Sequence, residues 1–130
     1  MQMTKLFFPF FFLVLSCQKT GYGDSCPVTL PDAVDVVKTE MPCAAAVLDR
    51  TDIKCNEADP LDDVACVYWW YGSDIARGRM EVRKDLAGQC VVHEAMHACL
   101  WLEADDCRNH DVSCGWDVDE IERVTAKVLE

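Results

Sequence analysis

Apolar positions are almost continuous over residues 6–15, whereas from residue 30 onward they recur in short periodic groups. The two regimes predict different fates. Ala33, Val34, Val36 and Val37 give an apolar side to a helix ending near Met41, ahead of Pro42. Thr29, with Asp32 three residues on, reads as a capping arrangement for it, and Pro31 is tolerated in the first turn. Residues 56–63 are acidic, contain Pro60 and predict a loop. Residues 64–71 are rich in Val, Tyr and Trp and end at Gly72-Ser73-Asp74, which predicts a buried strand. Residues 79–83 alternate, with Met80 and Val82 on one face, and predict an exposed or edge strand. Asp85 is placed to cap a long helix over residues 86–102. Its apolar residues fall on nearly every side, so it belongs in the interior. Asp117 and Glu120 are placed to cap a last helix with Val118, Ile121, Val124 and Val128 as its inner stripe. The expected fold is a small α+β domain.

The ten-residue apolar run is too short to span a bilayer but suits a secretory signal over residues 1–16. It ends at Val14-Leu15-Ser16-Cys17, which resembles the lipobox of bacterial lipoproteins. That resemblance implies cleavage before Cys17, lipid on its thiol and an exported, membrane-anchored protein. Residues 17–25, with Gly21 and Gly23, then read as a tether, and residues 26–130 as a single domain.

Cysteine count fits export. With Cys17 lipidated, eight of the nine remain: Cys26, Cys43, Cys55, Cys66, Cys90, Cys99, Cys107 and Cys114. An even set in a small exported domain predicts four disulfides of unassigned pairing. No Cys-x-x-Cys pair is present to suggest a zinc knuckle. The net charge of −11 becomes −12 once residues 1–16, which hold one lysine and no acid, are removed. With no basic patch, nucleic acid is excluded as an expected partner.

The chain has three histidines, His93, His97 and His110. His93-Glu94-Ala95-Met96-His97 reads H-E-x-x-H, and on a helix residues four apart share a face. Two imidazoles so placed can hold one metal ion, with Glu94 positioned to act as general base toward water. Inside an apolar helix these polar groups would be costly unless satisfied, and a metal satisfies the imidazoles. A catalytic zinc takes three protein ligands and keeps one open position. His110 is the favoured third ligand, on a loop flanked by Cys107 and Cys114; Glu103, Asp106 and Asp111 are the alternatives. For a second donor to a tetrahedral oxyanion, Tyr68, Tyr71 and Arg108 are candidates.

Residues 92–101, followed by His110, resemble the active-site segment of SprT-like zinc metallopeptidases. The resemblance covers residues 91–116 and departs at Asp111, where the family has glycine, and at Cys114, where it has an aromatic residue. It is a similarity of site architecture within the wider zincin group. It implies zinc at His93, His97 and His110, with Glu94 as general base in hydrolysis of a peptide or protein substrate. The strand over residues 79–83 would present a pairing edge to that substrate. The competing expectation is a noncatalytic lipoprotein, stabilised by zinc or disulfides, that binds a partner through Tyr68-Trp69-Trp70-Tyr71.

Overall fold

Strict alternation of inward and outward side chains over residues 51–56 and 77–83 builds the sheet on which the molecule is assembled. The computed structural model describes residues 21–71, 77–104 and 110–130; of residues 70, 71, 103 and 104 it describes the backbone. The proposed signal at residues 1–16, Cys17, Asp106, Cys107 and Arg108 lie outside the described residues. Helix α1 (Leu30–Glu40) leads through a 3-10 turn (Pro42–Ala44) into the short α2 (Ala45–Leu48). Strands β1 (Thr51–Asn56), β2 (Cys66–Tyr71) and β3 (Arg77–Arg83) follow. A second 3-10 turn opens α3 (Ala87–Ala104), and α4 (Val118–Val128) closes the chain. The fold is α+β, with four helices and one three-stranded sheet among the described residues.

The sheet order is β1-β3-β2, with β3 parallel to β1 and antiparallel to β2. The expected edge strand over residues 79–83 is therefore central. Met80 faces Ile53 on one side and Tyr68 on the other. Alternation reports which face of a strand meets water, but in-plane hydrogen bonding decides centre or edge, and period 2 carries no trace of it. A substrate cannot pair with a strand bonded on both sides. β1 itself was not anticipated, because Thr51, Asp52, Lys54 and Asn56 dilute its apolar signal. Its outer side takes residues 21–23: Ile53 N–H donates to the Gly21 carbonyl, and Gly23 N–H to that of Ile53. The described end of the segment read as a tether is thus docked on the sheet. β2 is left as the edge among the described residues.

One face of the sheet is exposed at Asp52, Lys54, Arg77 and Arg79, while Thr51, Ile53, Cys55, Met80 and Val82 turn into the core. On that inner face α3 packs against β2, β3, α1 and α4. Its Val91, Val92, Ala95 and Ala98 are fully enclosed. Each such valine contributes on the order of 1.5–3 kcal/mol relative to exposure. The helix is interior as expected, except at Gly88, at the exposed Leu102 and along a stripe through Gln89, His93, His97 and Trp101 that is at least partly open. Steps of four residues keep that stripe on one side.

Capping follows the expectation at one helix of three. Asp117 accepts the N–H of Glu120 and caps α4. Thr29 caps α1 with no side-chain bond, and the Asp85 carboxylate takes the Arg83 Nε at 2.6 Å instead. Val118, placed in the inner stripe of α4, is exposed, whereas Val124 is fully buried.

Three disulfides join described cysteines: Cys26–Cys55, Cys43–Cys99 and Cys66–Cys90. Cys114 is disulfide-bonded as well. Such cross-links are consistent with an exported protein. Among the described residues no helix is long and apolar enough to cross a membrane.

Candidate metal centre

Two of the disulfides land on α3, Cys90 three residues before His93 and Cys99 two after His97. They pin the helix to β2 on one side and to the turn after α1 on the other. In chain-entropy terms, bridges closing loops of 24 and 56 residues are worth about 3–4 kcal/mol each. The segment carrying H-E-x-x-H is thereby held at both ends.

His110 reaches this helix from the segment before α4. It and the two helical histidines form one group, each offering a ring nitrogen, with the three ligand atoms within 4.8 Å of one another. Nε2 of His97 and Nε2 of His110 are 3.0 Å apart. Tetrahedral zinc with Zn–N bonds of about 2.0–2.1 Å sets nitrogens roughly 3.3 Å apart, close to the separation of the His97 and His110 pair. Three histidines able to hold a metal ion are therefore brought together. Of the alternative third ligands, Asp111 does not join the group. Asp106 and the side chain of Glu103 lie outside the described residues.

Electrostatics keep the imidazoles of this cluster unprotonated. Burial holds the His93 imidazole below its ordinary pKa, with a further contribution from His110. Burial also lowers His97, to about 4, aided by His93 and His110. Both rings are thus neutral near pH 7 and present lone pairs, the form a metal requires. Glu94 is buried at 6% exposure, with its Oε2 4.0 Å from Nε2 of His93. Desolvation raises its carboxyl to about 7.

Tyr68, one candidate for an oxyanion donor, is otherwise engaged. The Thr51 hydroxyl lies 2.7 Å from the Val47 carbonyl and 2.6 Å from the Tyr68 phenol. Thr51 has one proton, which the carbonyl takes, so Tyr68 donates to Thr51. Burial pushes the phenol up to about 12. The side chain of Tyr71, and Arg108, lie outside the described residues. Trp69 lies beneath the Arg79 guanidinium, 4.5 Å from its ring centre.

Sequence reasoning missed Trp116. Its ring centre lies 5.1 Å from that of His93, 4.6 Å from His97 and 4.5 Å from His110. The available signal was compositional: among residues 102–130, rich in acids, Trp116 is the one Phe, Tyr or Trp. No family model, curated protein or solved structure matches this chain.

Proposed function

We propose that this chain is an exported zinc-dependent peptidase, anchored to a bacterial membrane by lipid on Cys17. One observation carries the reading: the three histidines converge beside a buried carboxylate, Glu94. A purely structural metal site has no use for that carboxylate. Burying it costs free energy that a role in proton transfer would explain.

His93, His97 and His110 would hold the ion, and three nitrogen ligands suit zinc with one position left open. Bound there, zinc supplies positive charge that polarises water and a scissile carbonyl. Glu94 takes the proton of the attacking water and returns it to the departing amine nitrogen. The two disulfides on α3 fix the helix that carries His93, Glu94 and His97 against β2 and the turn after α1. A peptide substrate would pair with the outer side of β2, the sheet edge among the described residues, in place of β3.

The test is Glu94→Gln in the oxidised protein. This variant keeps one zinc per chain and loses cleavage of an unfolded protein substrate. Undiminished cleavage would remove Glu94 from the mechanism, and a zinc-free wild type would remove the peptidase reading altogether.

A further inference from the structure

Four rings meet at the centre, and one of them cannot bind a metal. The centroids of His93, His97 and His110 are 4.8–5.0 Å apart, and that of Trp116 stands 4.5–5.1 Å from each of them. The indole therefore caps the triangle of imidazoles. It meets the His93 ring edge-on at 64° and the other two at 44° and 50°. Such edge-on and tilted contacts are the favourable ones for aromatic quadrupoles.

The backbone is shaped to put it there. After His110, a 3-10 turn (Val112–Cys114) ends at Gly115, whose φ of +96° is the left-handed region that favours glycine. The Asp111 carbonyl accepts the N–H of Cys114 at 2.9 Å and that of Trp116 at 3.2 Å. The turn thus folds Trp116 back onto the histidine that precedes it. Trp116 is 7% exposed, whereas His110 is exposed and has only His97 as a hydrogen-bonding partner among the described residues. His93 and His97 are fixed by one helix, but His110 enters from a separate segment. The indole is the surface that all three share.

We infer that Trp116 is the positioning residue of the metal centre, holding the His110 ring against His93 and His97 so that the three nitrogens converge before an ion arrives. The inference rests on the metal-binding part of the proposed function and not on peptide hydrolysis. Preorganising ligands raises affinity because less ordering remains to be done on binding.

Co2+ alone serves as the probe, read by its visible absorption and by quenching of tryptophan emission. Wild type binds one Co2+ with strong quenching. Trp116→Leu binds it roughly 10–100-fold more weakly, the range typical for loss of a group supporting metal ligands. Trp116→Phe restores most of the affinity, since a ring is again present, yet shows less quenching than wild type, the remainder coming from Trp101 on the His93–His97 stripe. Trp69→Phe, on the outer face of the sheet, retains the wild-type quenching. Equal affinity in wild type and Trp116→Leu, with an unchanged absorption band, would overturn the inference while leaving the metal centre standing. Absence of Co2+ binding by wild type would overturn both. Should the leucine variant fail to fold, the quenching decides: emission unmoved by bound Co2+ in wild type places the indole away from the ion.

Discussion

Nε2 of His97 and Nε2 of His110 stand 3.0 Å apart across 13 residues of sequence. Two ring nitrogens at that distance either share a proton or share a cation. The third histidine and the buried carboxylate beside them favour the cation. His110→Ala should therefore lower zinc affinity by more than the roughly 10–100-fold typical of outer-shell losses. Glu103→Ala should leave it unchanged. Zinc per chain after dialysis against a weak chelator measures both, and the reverse pattern would give the third position to Glu103.

The Glu94 carboxyl should titrate near 7 in metal-free protein, against an ordinary value of 4.5, and burial is the cause. Carbon NMR of labelled glutamate reads the midpoint directly. Adding zinc should move it down, because positive charge nearby favours the carboxylate. A midpoint unmoved by zinc would separate Glu94 from the metal.

Stability of the metal-free protein should respond to pH through two opposed groups. Glu94, raised from 4.5 to about 7, gains protons on folding, so its contribution is fully present below 4.5 and is lost as pH rises through about 7. His97, lowered from 6.5 to about 4, loses protons on folding, so stability is lost as pH falls from 6.5 through about 4. His93 acts in the same sense as His97. Between 4.5 and 6.5 the slopes oppose each other. Glu94→Gln removes one of them, and urea unfolding of that variant should show stability rising with pH more steeply than wild type. Parallel profiles would contradict the assignment.

Gly78 stands in β3 where an added Cβ would collide with the Tyr68 ring. Gly78→Ala should displace that ring, break the Thr51–Tyr68 contact and cost ~1–3 kcal/mol, as overpacking does. Tyr68→Phe keeps the ring and should cost about 1 kcal/mol for one hydrogen bond. Thermal unfolding of the two variants gives the order; a harmless Gly78→Ala would refute the contact.

Removing Cys43–Cys99 should destabilise the chain more than removing Cys66–Cys90, by under about 1 kcal/mol, since loop closure depends only logarithmically on loops of 56 and 24 residues. Both double-alanine variants should also bind zinc more weakly, because each frees one end of the helical pair. Metal affinity equal to wild type in both would show that α3 holds its histidines without them.

Local chemistry made much of this protein legible in its sequence. The H-E-x-x-H spacing put His93 and His97 on one face of α3, because helical geometry depends on neighbours four residues away. All-round apolarity put that helix inside, and Asp117 announced the start of α4. The surplus of cysteines announced cross-links.

Only the tertiary structure decided what depends on residues far apart in the chain. It paired Cys43 with Cys99 and Cys66 with Cys90, which spacing cannot do. It moved β3 to the centre of the sheet, since alternation along a strand is blind to what bonds at either side. It brought His110 to His97 and laid Trp116 over both. Hydrophobic and helical periodicities are one-dimensional signals, whereas a cluster of three histidines is a convergence in space, built here by a helix, a turn around Gly115 and the cross-links that hold the helix still.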